Sequence, residues 1–264
     1  MAVFMSYAVG PTPFFHCQAD ARFAYCLHVP ASPQTLCVYV HGTERDASHY
    51  RDHLRAFAEK NQVLIVAPLF PAGLYDAQDL DNYKYLLYQG VRYDHVLLSM
   101  LDEVHSTYHI GEDRFLLGGF SGGAQFAQRF TYLHPERLRA VSLAAPGRVT
   151  LLDDRFDWWP GTRNVKALFG QRIDMTALRT VPVQLVIGKQ DNEDITIKKG
   201  NRYWADGANQ AGTTRLERSQ ALYHHYQQQS IPVHYSTVDD CGHEWLPLMP
   251  PILDFYQSIL KEPA

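Results

Sequence analysis

The sequence predicts an α/β fold, with a mostly parallel central sheet and helices on both faces, in a single domain over residues 1–264. Three observations predict it. Short β-rich runs alternate with stretches of helical period. The runs are apolar throughout rather than at every second residue, as in strands covered on both faces. Three of them end in turns that carry a serine, an aspartate and a histidine, and ligands on such sheets sit beyond the carboxyl ends of the strands. The chain has 264 residues, 46% of them hydrophobic, with 16 tyrosines, which is enough for one large core and an aromatic pocket.

Each element follows from local composition. Residues 22–29 alternate loosely and stop at Pro30, an early strand, and Pro30-Ala31-Ser32-Pro33 is a turn. Residues 35–40 are a continuous β-rich run, hence a central strand, ending in His41-Gly42-Thr43. Residues 47–60 carry Leu54, Phe57 and Ala58 at helical spacing, and 63–67 form a buried strand closed by Pro68. Residues 69–93 have no clean period but hold Phe70, Leu74, Tyr75, Tyr83, Tyr85 and Tyr88, a long, partly helical excursion. In 94–109, Leu97, Met100, Leu101, Val104 and Tyr108 share one helical face, with Asp94 expected as N-cap. A buried strand begins at Phe115, and 122–132 is a helix. Residues 138–145 are the next strand, ended by Pro146-Gly147. Residues 148–180 break the rhythm with Trp158, Trp159, Pro160 and Phe169, and are expected to form a cap-like insertion. A strand at 182–187 leads into Gly188-Lys189-Gln190-Asp191. A polar helix over 213–229, a last strand over 232–238, a turn at 240–243 and a closing helix over 251–261, with proline at its start, complete the chain. There are no repeats, low-complexity tracts or Ser/Gly linkers.

Composition excludes several functions. The net charge of −4, with no basic block, argues against nucleic acid and anionic membranes. Residues 1–13 lack the charged start and apolar core of a signal peptide, and no apolar run approaches membrane-spanning length. Cys17, Cys26, Cys37 and Cys241 show no CxxC spacing, which predicts reduced thiols and a cytoplasmic protein. His49/His53 and His105/His109 have i,i+4 spacing but no glutamate of an H-E-x-x-H motif, so no metal is expected. The acidic stretch from Asp191 to Asp194 lacks EF-hand spacing. His224 and His225 are expected at the surface.

The chemistry centres on Gly119-Phe120-Ser121-Gly122-Gly123, a G-x-S-x-G strand-to-helix turn. Such a turn strains the serine backbone, projects its hydroxyl and requires small neighbours. Ser121, Asp191 and His243 each follow a strand, in the order Ser, Asp, His. A serine hydroxyl needs an imidazole to take its proton, and the imidazolium needs a carboxylate. Asp191 is favoured as the acid because it lies nearest the strand end; Glu193 and Asp194 are the alternatives. The oxyanion donors are expected from the N–H of Gly122, after the nucleophile, and of Thr43, in the loop after the earlier strand. His41 either orients that loop beside the substrate pocket or is a packed strand-end residue. Trp158 and Trp159 are expected to line the substrate pocket.

On these residues the chain resembles the α/β-hydrolase superfamily, from about Phe23 onward. His41-Gly42-Thr43-Glu44-Arg45-Asp46 and Ala67-Pro68-Leu69-Phe70-Pro71 resemble the bacterial esterases grouped with poly(3-hydroxybutyrate) depolymerases and feruloyl or acetylxylan esterases. In that group an HG-x-x-R-type loop forms the oxyanion hole. The resemblance implies a serine hydrolase cleaving a small-molecule carboxylic ester through an acyl-enzyme, without a cofactor. Two aromatic-rich segments favour short or aromatic esters over polymers. An amidase of the prolyl-oligopeptidase branch and a non-enzymatic binding module are the alternatives.

Overall fold

The computed structural model describes residues 9–261. Its strands are β1 (Gly10–Pro11), β2 (Phe15–His16), β3 (Ala24–Val29), β4 (Thr35–Val40), β5 (Val63–Leu69), β6 (Leu87–Tyr88), β7 (Val91–Arg92), β8 (Phe115–Phe120), β9 (Leu138–Ala144), β10 (Val183–Gly188) and β11 (Val233–Val238). Its helices are α1 (Ala47–His53), α2 (Arg55–Asn61), α3 (Tyr93–Tyr108), α4 (Gly122–Leu133), α5 (Val165–Phe169), α6 (Met175–Leu178), α7 (Arg215–Gln228) and α8 (Met249–Lys261).

One sheet runs in the order β1-β3-β5-β4-β8-β9-β10-β11, with β2 also on β3. From β5 to β11 all neighbours are parallel; β3 joins β5 antiparallel. The pleat sends alternate residues of β4 to opposite faces. Leu36, Val38 and Val40 pack with Met100 and Leu101 of α3, Phe126 and Phe130 of α4, and Leu222 and Tyr226 of α7. Cys37 and Tyr39 pack with Tyr50 of α1, Phe57 of α2, and Ile252 and Tyr256 of α8. Each fully buried Val, Leu or Ile adds about 1.5–3 kcal/mol of transfer free energy, so both faces hold the sheet.

Several expectations are corrected by the structure. The helix over 47–60 is two helices that break at Leu54, which is fully buried. The helix expected from 94 starts at Tyr93 with Arg92 as its N-cap. Asp94 lies inside its first turn, buried, and accepts hydrogen bonds from Arg92 and His134. Burial alone would raise its carboxyl; those bonds and charges outweigh burial and hold it at about 2. The 69–93 excursion contains one 3-10 turn (Asn82–Tyr85) and the β6–β7 hairpin. The 148–180 stretch holds only the short helices α5 and α6. A third irregular excursion, residues 189–214, was not anticipated. The three excursions meet where Tyr85, Trp159, Ile197 and Ala208 pack with Tyr203 and Trp204. His225, expected at the surface, is half-buried on α7, and its Nε2 accepts from the Leu152 N–H. No helix of the described residues is long and apolar enough to cross a membrane. All four cysteines are buried and unpaired.

Candidate active site

The site lies at the carboxyl ends of β4, β8, β10 and β11, and small residues allow its parts to meet. Ser121 joins β8 to α4 with φ 54° and ψ −107°, a conformation that strains a residue bearing a Cβ. It is held there by its N–H donating to Ala144 O at 2.8 Å. A Cβ on Gly123 would stand 2.7 Å from His41 O, so glycine lets the first turn of α4 pass the end of β4. Gly188 does the same at the end of β10, where a Cβ would stand 2.6 Å from the carbonyl carbon of Cys241.

That approach brings the sequence-predicted acid and base together. His243 Nδ1 lies 2.7 Å from Asp191 Oδ2, and its Nε2 lies 3.0 Å from Ser121 Oγ. With Nδ1–H donating to Asp191, Nε2 is left to accept from the serine hydroxyl. The Phe120 ring stacks on the imidazole at 4.7 Å. Asp191 is only 2% exposed, and its other oxygen accepts from Arg215 Nη1 at 3.1 Å. Neither alternative acid reaches His243. Asp194 accepts from Thr196 at the start of the 194–214 bridge region, and Glu193 is an exposed partner of Arg215.

The His41-Gly42-Thr43 loop is braced from several sides. His41 is fully buried; its Nδ1–H donates to Gly42 O at 2.7 Å and its Nε2 accepts from Phe70 N–H at 3.0 Å. Burial pulls its imidazole down to about 3, so the ring is neutral. It therefore braces the loop rather than lining a pocket, which corrects the placement of His41 beside the substrate. Arg45 donates to Thr43 O, Phe70 O and Leu80 O, and Tyr83 Oη to His41 O and Gly42 O. Lys84 reaches both expected oxyanion donors: its Nζ donates to Thr43 Oγ1 at 2.8 Å, and its Cε lies 2.6 Å from where a Gly122 Cβ would be. Its other partner is Asp81. Burial pulls the ammonium below its ordinary value, with Asp81 opposing. The N–H groups of Thr43 and Gly122 have no acceptor among the described residues.

Trp158 and Trp159 both belong to the packed insertion. Their indole N–H groups donate to Tyr85 O and Tyr203 O, both at 2.9 Å, and Trp159 is 7% exposed. Sequence reasoning missed Lys84, Arg45, Tyr83 and Arg215 as parts of the site. Arg45 alone carried a signal, as the arginine of the HG-x-x-R pattern. The metal-capable group among the described residues is Asp94, His95 and His134, away from the pairs weighed in the sequence. Arg92 already bonds both Asp94 oxygens, leaving a cation poorly served. His49 and His53 instead pack against Trp245.

No protein-family model and no curated protein matches the sequence. Solved structures match along nearly the whole chain. Poly(aspartic acid) hydrolase-1 from Sphingomonas sp. KT-1 aligns at 18% identity over 93% of this chain and 98% of its own, with a TM-score of 0.72. A poly(3-hydroxybutyrate) depolymerase from Bordetella parapertussis aligns at 20% identity over 92% and 85%, also at 0.72. An S-formylglutathione hydrolase from Agrobacterium tumefaciens aligns at 18% over 90% and 89%, at 0.58. With this topology and these neighbours, the chain has the α/β-hydrolase fold, which it shares with esterases and other serine hydrolases.

Proposed function

We propose that the protein is a serine hydrolase acting on a small carboxylic ester. The observation that carries the reading is the unbroken row of hydrogen bonds from Asp191 through His243 to Ser121, on a strained strand-to-helix turn. In the mechanism, Ser121 Oγ attacks the ester carbonyl as His243 Nε2 takes its proton. Asp191 fixes the imidazole tautomer and stabilises the imidazolium without itself taking the proton. The N–H groups of Thr43, in the loop after β4, and of Gly122, at the start of α4, hold the oxyanion, each donor contributing about 2.7–4 kcal/mol. His243 then protonates the leaving alcohol, and water, activated by the same imidazole, releases the acid. No cofactor enters these steps. The fold neighbours include esterases and serine hydrolases, which supports the reaction class. The substrate is a short or aromatic ester, and the setting is cytoplasmic, in keeping with four unpaired thiols.

The test is fluorophosphonate labelling together with turnover of p-nitrophenyl esters. Ser121 should carry the label, and Ser121→Ala should keep its circular dichroism spectrum while losing on the order of 10⁴-fold or more in turnover. Normal turnover by the folded variant would refute the serine mechanism.

A further inference from the structure

Beside the oxyanion loop, four buried or half-buried cations outnumber the carboxylates Asp81 and Asp79, and Asp79 accepts from Tyr203. Lys84 and Arg148 share the single carboxylate of Asp81, Oδ1 serving the lysine and Oδ2 the arginine. Two further guanidiniums stand close behind them, and neither hydrogen-bonds a carboxylate among the described residues. Arg129, fully buried, donates to Lys84 O, Arg148 O and Thr150 Oγ1. Arg218, 1% exposed, donates to Gly147 O, Gly212 O and Ile195 O. Burial first, then repulsion from Arg148 and Arg215, holds Arg218 at about 10.

The arrangement fixes one guanidinium firmly and leaves part of it open. Arg218 and Arg129 clamp the carbonyls of Gly147 and Arg148 at 2.6 and 3.1 Å. Arg148 Nη1 donates to Asp81 and, at 2.6 Å, to Tyr85 Oη, and the group lies 5.2 Å over the Tyr203 ring. Every hydrogen bond of this side chain leaves from Nη1. Nε and Nη2, the forked edge that matches a carboxylate, have no partner among the described residues, and the side chain is 20% exposed. Through Asp81 and Lys84 the guanidinium connects to Thr43, and the neighbouring Gly147 lies against Gln125, one helical turn beyond Ser121.

We propose that the Nε/Nη2 edge of Arg148 is a subsite for a substrate carboxylate, so that the preferred esters carry a free carboxylate on the acyl or alcohol part. The proposal rests on the ester-hydrolase reading and names its substrate class. A carboxylate there supplies the charge that Asp81 alone does not, and its two oxygens meet the two unpartnered N–H groups of the fork. The bidentate fit fixes the ester relative to Ser121, and the open edge needs no rearrangement to accept it.

The test compares mono-(4-nitrophenyl) glutarate with its neutral methyl ester, in wild type, Arg148→Met and Arg148→Lys. Wild type should favour the carboxylate in kcat/KM by on the order of tenfold or more, chiefly through KM, and added salt should compress that ratio. Arg148→Met should lower the ratio to about one, and Arg148→Lys should recover only part of it, since a point charge lacks the fork. A wild-type preference for the neutral ester, or an equal loss on both esters in Arg148→Met, overturns the subsite alone. If Arg148→Met does not fold, the wild-type ratio and its response to salt decide. Absence of turnover on both esters, with no fluorophosphonate labelling of Ser121, overturns the hydrolase reading and the subsite with it.

Discussion

Gly188→Ala should damage catalysis without touching a catalytic side chain. The new Cβ would stand 2.6 Å from the carbonyl carbon of Cys241, and closer still to the oxygens of Cys241 and Gly242, where ordinary contact begins at 3.4 Å. These atoms are backbone, so no rotamer change relieves the overlap. The 241–243 loop must retreat on the order of 1 Å, against the 2.8 Å bond from Gln190 N–H to Cys241 O. His243 rides on that loop, and its 2.7 Å and 3.0 Å contacts to Asp191 and Ser121 open with it. A misplacement of ~1 Å costs about 10²-fold in rate, and overpacking of this kind destabilises by about 1–3 kcal/mol. The assay is kcat on p-nitrophenyl acetate, with folding followed by a circular dichroism melt. Gly242→Ala is the control, because its Cβ would meet nothing within 4 Å. Wild-type kcat in Gly188→Ala, or an equal loss in the control, would show that the close approach does not set the histidine.

Three further outcomes are expected. Asp191→Asn should lower kcat by about 10⁴-fold through the wrong imidazole tautomer, and Asp194→Asn should have little effect; steady-state kinetics that rank them the other way would place the acid elsewhere. His41, held at about 3 in the fold, takes a proton in the unfolded chain near pH 6.5. Between those values the unfolded state binds more protons, so stability falls as pH is lowered from 7 to 5. Melts across that range should show a shallower slope in His41→Asn, and parallel slopes would contradict the assignment. Dialysis against EDTA should leave turnover unchanged, since Arg92 occupies the Asp94 carboxylate; activity lost and then restored by zinc would reopen the question.

The parts of this protein that sequence makes visible are those with a short-range signal. Continuous apolar runs marked β4, β5, β8, β9 and β10, because a strand covered on both faces has no polar positions. Ser121 and Asp191 were visible because each closely follows such a run, and His243 because it stands in the turn after the last strand, β11. Tyr83 and Lys84 left little trace, for they reach the site only through contacts some forty residues apart in the chain. The excursion over 189–214 carries no period, and its turns include Gly200, Gly207 and Gly212 at positive φ. Its place is set by Tyr203 and Trp204 packing on residues from two other excursions, which no local pattern encodes. Asp94 followed the N-cap pattern in composition, yet Arg92 and His134 claim its oxygens inside the helix, and tertiary partners override the cap preference.

The edge position of β11 bears on how activity arises during synthesis. Among the described residues this strand pairs only with β10, and its residues are half-exposed. The imidazole follows five residues after it. A growing chain emerges at about 5–20 residues per second, so the serine turn is complete well over a hundred residues before its base arrives. On the proposed mechanism, until β11 docks Ser121 has no proton acceptor and the nascent protein should be chemically silent. Recovery of turnover on refolding therefore reports the closing of the last edge of the sheet, and it should lag the recovery of helical signal.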